Sequence, residues 1–423
     1  MKNEKISRRS FLKASAVASA LGVMAAAPAA HAAGADEAAA QIEEENCLLK
    51  KPKYIFLFIG DGMGTAQIQS ARFYKGTVDN NGAVTEADLS FTSFPHVGSV
   101  TTYDSTSFCP DSASTATSIA TGHKTESGVI NMCPWTRDVP YETIAEKLHA
   151  QKGYKVGVVS TVNIDHATPA AFYAHQNSRR NYYEIGVELA NSGFEYFAGG
   201  EFQKVNGSGN VPNNHEVAAQ AGYNVVTTQA AAAALTAGAD KTLILVTADH
   251  ETGGLAIGYK TTNYDTFLTN LTHQKMSYAK FDTDYVQNYI ANKTPFEAAM
   301  ADVKANFGLT LPTDPDAANA GKLLLTDYEV QNLRTAYDRT LEVGSASQKD
   351  MTQQDYELYG TYIPFSMAIC HTINHKSGMD HTTYAHTGAM VNLYAMGVGA
   401  EKFGGVYDNT EIFHKLAELT SVQ

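Results

Sequence analysis

Tyr54-Ile-Phe-Leu-Phe-Ile59 runs without a charged side chain into Gly60-Asp61-Gly62-Met63-Gly64. A six-residue apolar run that stops at glycine has the length and composition of a β-strand buried on both faces, the kind found inside parallel sheets. The pattern returns far downstream, where Thr242-Leu-Ile-Leu-Val-Thr247 ends in Ala248-Asp249-His250-Glu251-Thr252-Gly253-Gly254. In parallel α/β sheets ligands bind beyond the carboxyl ends of the strands, so Asp61 and the Asp249-His250 pair emerge on one functional edge. Two carboxylates and an imidazole suit Zn²⁺ without any thiolate. Asp-Gly after a strand is also ordinary turn chemistry, so each aspartate alone supports both readings.

Further strands are expected at Val156 to Thr161 and Val391 to Met396, with helices at Tyr141 to Gln151, Tyr182 to Ser192 and Ala230 to Leu235. That alternation is the order of an α/β fold whose mostly parallel central sheet is covered on both faces, a three-layer αβα sandwich. Residues 263–367 differ in composition, being rich in Lys, Gln, Asp and Tyr, with a helical stretch at Pro295 to Phe307. They read as a mainly helical insertion into one domain spanning 53–423. A cover over the site, a homodimer contact and a plain solvated excursion are all open for it.

Asp111-Ser112-Ala113 opens a run of small and hydroxyl residues that closes on Gly122-His123-Lys124-Thr125. A serine at the start of a helix lies where unpaired N–H groups and the helix dipole favour an anion, so its oxygen is placed to become a phosphate ester. Ala113, Ala116 and Ala120, at helical spacing, would let that helix lie close against a sheet. A third strand end, Asn163-Ile164-Asp165-His166-Ala167-Thr168-Pro169, adds hydroxyl and imidazole groups, and a helix beginning near Pro169 would carry Arg179. Arginine's planar fork matches two phosphate oxygens at once. Late in the chain, Thr383-Tyr-Ala-His386-Thr-Gly388 precedes the 391–396 strand and supplies one more imidazole.

Together, the Asp61 loop, the Asp111-Ser112-Ala113 run, Ala167-Thr168-Pro169 with Arg179 beyond it, T-A-D-H-E-T-G-G and the late H-T-G resemble alkaline phosphatase, with the motifs in family order. The resemblance implies phosphate-monoester hydrolysis in which Ser112 becomes a phosphoserine and Arg179 grips the phosphate. It implies that Asp61, Asp249 and His250 hold one Zn²⁺, that His386 holds a second, and that Asp61 and Thr168 sit at a Mg²⁺ site beside His166. A phosphoryl group in flight needs mostly positioned positive charge, which such a site supplies.

The family also carries a segment of the form V-E-G-x-x-I-D-x-x-x-H between the arginine and the T-A-D-H strand. From Asn181 to Ala248 this chain has only Asp240 and His215 as Asp and His, and their spacing does not match. Gly222-Tyr-Asn-Val-Val-Thr-Thr228 instead runs straight into the alanine-rich stretch. By the resemblance, the Ser112-side zinc keeps three ligands, while the other zinc retains His386 alone and the magnesium site lacks its acid, unless Asp380, His381 or Glu251 fills in. Turnover would then be impaired, and a non-catalytic relative that binds zinc and phosphate is the second reading. A missing central strand would also leave a gap or an unpaired edge in the sheet.

The N-terminus reads as a signal peptide over 1–32, with Arg8-Arg9, an Ala-rich stretch and Ala30-His31-Ala32 as the cleavage site, followed by a lead-in over 33–52. Export by the twin-arginine route to the periplasm or the exterior follows, with no stable membrane anchor. The formal charge of −13 falls to about −17 when the five positive and one negative residues of that segment are removed. Such acidity argues against nucleic-acid partners and fits a soluble exported protein, while small phosphate monoesters as substrates are what the resemblance implies. The four cysteines, Cys47, Cys109, Cys133 and Cys370, specify no pairing by their spacing.

Overall fold

In the computed structural model, residues 51–226, 241–344 and 351–423 are described. The signal segment, Cys47, the Thr228 junction and the expected helix at Ala230 to Leu235 lie outside them.

Five strands make the main sheet: β1 (Tyr54–Gly60), β2 (His96–Thr101), β5 (Thr242–Ala248), β10 (Val391–Gly397) and β11 (Gly405–Asp408), in the order β1-β5-β10-β2-β11. β1 pairs parallel with β5 from Tyr54↔Thr242 to Gly60↔Ala248, and β11 pairs parallel with β2. β10 is antiparallel to both its neighbours, so four of the five strands share one direction. The sheet is therefore mixed and mostly parallel. The parallel register brings Gly60 level with Ala248, and that is why Asp61 and Asp249 leave the sheet side by side.

Successive residues of β5 face opposite sides, as the pleat requires. Leu243 and Leu245, with Val391, Leu393 and Ala395 of β10, pack against the helices Ser112–Thr121, Ile144–Lys152 and Thr410–Thr420 through Ile119, Leu148, Ile412 and Leu416. On the other face Val246, Ile244 and Tyr394 meet Ile68 of the helix Thr65–Asp79, with Phe91 and Phe94. Two covered faces around one sheet give the α/β sandwich that the alternation of strands and helices implies.

β3 (Gly157–Asn163) and β4 (Tyr196–Gly200) form a separate parallel ladder. Two antiparallel ladders are short: β6 (Glu251–Thr252) with β9 (His386–Thr387), and β7 (Ala256–Ile257) with β8 (Met379–Asp380). The expectation that Tyr54 to Ile59 is buried on both faces is not met. Among the described residues β1 ends the sheet, none of its seven residues is fully buried, and Phe58 is 55% exposed. Val159 on β3 is 70% exposed.

The described residues of 268–344 and 351–377 are mainly helical, from Leu268–His273 to Pro364–Ser377, and have a core of their own around Phe281, Met300, Phe307, Tyr337 and Phe365. The helix Phe296–Phe307 starts after Pro295 and stops at Gly308, whose φ of +75° closes it in the left-handed region. Among the described residues Cys109, Cys133 and Cys370 form no disulfide. Among the described residues no helix is long and apolar enough to cross a membrane.

Candidate functional site

The helix Ser112–Thr121 is buried along its whole length and is capped by Asp111, whose side chain accepts from the Ser114 N–H. Its small face packs against Val158 of β3 and against Ala167, Ala170 and Ala171. The alanines thus let it approach the detached ladder and the short helix Ala167–Ala170, while Ile119 meets the five-stranded sheet. This packing fixes Ser112 at the helix N-terminus, where the dipole favours an anion.

Ser112 Oγ lies 2.9 Å from His250 Nε2 and 3.4 Å from each oxygen of Asp61. His250 Nδ1 lies 3.1 Å from the Glu251 carbonyl, which only accepts, so Nδ1 carries the proton and the Nε2 lone pair faces Ser112 Oγ, Asp61 and Asp249. Burial, reinforced by the neighbouring His386, pushes His250 down to about 4 and keeps it neutral. The ring of His386 stacks on it at 3.5 Å, with His386 Nδ1 held 2.6 Å from the Pro110 carbonyl.

Asp249 is fully buried. Its Oδ1 accepts from the Gly62 and His250 N–H groups at 3.0 Å, while its Oδ2 has no hydrogen-bond partner and lies 3.4 Å from His250 Nε2. Burial, and then the charge of Asp61, push its carboxyl up to about 7. An orphaned buried oxygen beside a second carboxylate and an imidazole lone pair is a set of donors without an acceptor of their charge. Ligating atoms of Asp61, Asp249 and His250 lie within 4.8 Å of one another, and these residues fit a single divalent cation. A second ion does not fit in the same way. Among the described residues no group of three acid, imidazole or thiol ligands includes His386, Asp380 Oδ1 is engaged by His375 and the His381 N–H, and the Glu251 carboxylate is filled by other donors.

Arg179 is not carried by a helix from Pro169. That helix ends at Ala170, because the Asn131 side-chain amide takes the carbonyls of Ala171 and Ala174 and the chain then pairs Gln176 with Ile130. Arg179 follows in a turn, its N–H on the Gly128 carbonyl at 2.7 Å and its Nη1 on Asp111 Oδ2 at 2.8 Å, with Nη2 3.4 Å from His166 Nε2. Burial opposes the charge on Asp111, but the Ser114 N–H, Arg179 and the Gly128 N–H outweigh it and hold the carboxyl below its usual range. Asp111 caps the serine's helix with one oxygen and anchors the arginine with the other. The sequence singled out its neighbours and missed this double role, whose one visible signal is an Asp at the N-cap position.

Thr168 donates to Asp61 Oδ2 at 3.3 Å. Every expected residue, Asp61, Ser112, Thr168, Arg179, Asp249, His250 and His386, therefore belongs to one connected cluster, with Arg179 joined through Asp111.

The alkaline phosphatase family profile matches residues 52–196 and 200–422. Alkaline phosphatase 4 of Drosophila melanogaster is 43% identical over 143 residues, which are 32% of this chain and 24% of that protein. The chain spans about a quarter of the length of the animal relatives it matches in this way. Alkaline phosphatase 4 of Bacillus subtilis (strain 168) is 27% identical over 426 residues, covering 84% of this chain and 86% of the relative. Among solved structures, a cold-active alkaline phosphatase from the psychrophile Shewanella sp. superposes with a TM-score of 0.65 at 22% identity, over 87% of this chain and 99% of the other, a likeness of fold.

Proposed function

The chain belongs to the alkaline phosphatase family, and from that premise we propose that it opens phosphate monoesters by forming a phosphoserine on Ser112 and resolves that intermediate slowly. The observation that carries the reading is the Ser112 hydroxyl set 2.9 Å from a neutral, unprotonated His250 Nε2 and beside Asp61 and Asp249. Ser112 Oγ forms the new P–O bond as the bond to the ester oxygen breaks and the alcohol departs. Water then attacks phosphorus, the Ser112 O–P bond breaks, and inorganic phosphate leaves with the hydroxyl restored.

Arg179, held through Nη1 by Asp111 and with Nη2 3.4 Å from His166 Nε2, turns its Nη2 from that contact to the phosphate beside the helix N-terminus. A divalent cation held by Asp61, Asp249 and His250 would supply positive charge that lowers the pKa of the serine hydroxyl. Thr168 helps hold Asp61 by donating to its Oδ2. Because the residues around His386 do not fit a second ion, no assistance to the attacking water is assigned to one. The second half-reaction is the slow one.

The Arg8-Arg9 segment and the Ala-rich stretch after it support a reading in which this chemistry acts outside the cytoplasm, and the family supports small phosphate monoesters as its substrates. Zinc- and magnesium-loaded protein mixed with an aryl phosphate at alkaline pH should give a burst of about one alcohol per chain, followed by slow turnover. Ser112→Ala should remove both phases. Bound zinc with no burst would instead establish the second reading, a relative that binds zinc and phosphate without chemistry.

A further inference from the structure

β1, β5, β2 and β11 run in one direction, so Asp61, Asp249 and the chain leaving β2 all emerge at the same edge of the sheet. Residues 102–111 cross that edge from the end of β2 at Thr101 to the start of the serine's helix. β10 enters the sheet there, between β2 and β5. Tyr394 lies opposite Val246, so Val391, three residues earlier, is level with Asp249, three residues later. Gly388, just ahead of β10, approaches the crossing segment so closely that a Cβ on it would fall 2.8 Å from the Phe108 carbonyl oxygen and 3.6 Å from Phe108 Cβ. Two residues on, the Pro110 carbonyl meets His386 Nδ1 at 2.6 Å, and His386 stacks on His250. Phe108 is therefore seated over the strand next to β5, and neighbouring strands lie about 4.8 Å apart.

Its backbone is braced while its ring is left uncovered. Asp104, itself buried, takes the Thr106 and Ser107 N–H groups at 2.8 and 2.7 Å, and the Cys109 N–H donates to Ser107 Oγ at 3.0 Å. Asp104 Oδ2 lies 3.1 Å from Ser114 Oγ, which ties the segment to the serine's helix. Yet Phe108 is 80% exposed and Tyr103 beside it 42%, with ring centroids 6.3 Å apart and planes at 51°. Among the described residues neither ring belongs to an apolar core. Lys124 Nζ stands 4.0 Å from the centre of the Tyr103 ring, so Phe108 is the freer of the two. A single exposed phenylalanine needs no explanation by itself. One on a braced segment, four residues before the nucleophile and at the edge where the ester binds, offers a surface to whatever extends from the phosphate. Another aromatic ring gains most from it, through offset or edge contact, and a small alkyl group presents far less area.

We infer that Phe108, with Tyr103 beside it, contacts the alcohol part of the monoester and favours esters of aromatic alcohols over those of small alkyl ones. For turnover this rests on the phosphoserine reading, whereas the binding preference does not. Full-length, metal-loaded protein is assayed with phenyl phosphate and ethyl phosphate, and is titrated by calorimetry with phenylphosphonate and methylphosphonate, which cannot be hydrolysed. Phe108→Ala should lower kcat/KM for phenyl phosphate about 3- to 10-fold more than for ethyl phosphate, the size of one aromatic contact. It should weaken phenylphosphonate relative to methylphosphonate by a similar factor. Phe108→Tyr should keep both preferences. Phe108→Leu, which keeps the bulk without the ring, should shift both ratios the same way by less, and it carries the test if the melting transition shows that Phe108→Ala does not fold.

Equal losses for both esters, or ratios that stay at the wild-type values, overturn the inference. So does a change of oligomeric state in Phe108→Ala, read by sedimentation, with both ratios intact, since the ring would then belong to an interface between copies. If wild type releases no alcohol from either ester, the phosphoserine reading fails, and the phosphonate ratio alone decides whether Phe108 selects the aromatic group.

Discussion

Replacing Asp249 by Asn should stabilise the metal-free protein while abolishing its stabilisation by zinc. Asn keeps an oxygen for the Gly62 and His250 N–H groups and puts an amide donor where Oδ2 now has no partner, 3.4 Å from the accepting His250 Nε2. The wild-type carboxyl is pushed up to about 7 by burial and by Asp61. At about 1.4 kcal/mol for each tenfold change in proton affinity, measured from an ordinary aspartate near 3.9, the ceiling on the penalty is about 4 kcal/mol. Asp61 relaxes as well when the buried charge goes, so a gain of about 2 kcal/mol is expected. Below about pH 4 the carboxyl is protonated in both states and contributes no penalty. Between about pH 4 and 7 the unfolded chain loses this proton before the folded one does, so wild-type stability falls, and above 7 the whole penalty is present. The advantage of the Asn variant should therefore open between pH 4 and 7 and stay constant at higher pH. Urea unfolding in EDTA at pH 5, 6 and 8 measures it, and repeating the series with zinc should raise wild type alone, since ligand binding to the native state adds stability by mass action. A variant less stable than wild type at pH 8 in EDTA, or one that gains as much from zinc, would refute the reasoning.

Two further outcomes follow from the same geometry. Arg179→Ala should weaken retention of inorganic phosphate by about 1.5–3 kcal/mol, the worth of a hydrogen bond to a charged group, and leave bound zinc unchanged; calorimetry and metal analysis on one sample check both, and lost zinc would mean that the arginine shapes the ion site. His175 stands 3.5 Å from both Glu146 and Glu188, and although burial opposes its charge, the two carboxylates hold it up at about 10. A raised histidine contributes stability fully present below its unfolded value near 6.5 and lost as pH rises through about 10. The melting-temperature gap between wild type and His175→Gln should accordingly be widest near pH 6 and narrow toward pH 10, and a gap that widens with pH would contradict the ion-pair account.

The residues that carry the chemistry were legible in the chain because each stands in a short motif whose local form follows from a few neighbours. An apolar run that stops at Gly-Asp, a second that stops at Asp-His, and a serine one residue after an Asp suited to cap a helix all announce themselves within about ten residues. Sequence therefore specified the α/β class and the cluster of Asp61, Ser112, Asp249 and His250. Tertiary structure decided what depends on distant partners. β1 and β5 begin alike, yet β5 is buried between two neighbours while β1 ends the sheet with Phe58 exposed, a difference set by what lies alongside. The helix expected to carry Arg179 is ended beside Asn131, and the arginine is anchored by Asp111, 68 positions away. Glu251 meets Thr387 across 136 positions and Gln67 across 184, so the chain has no local pattern that could reveal their junction. Backbone propensity and capping act over a few residues, whereas burial and hydrogen-bond partnership are settled only when remote segments share space, and that is where this site acquires its geometry.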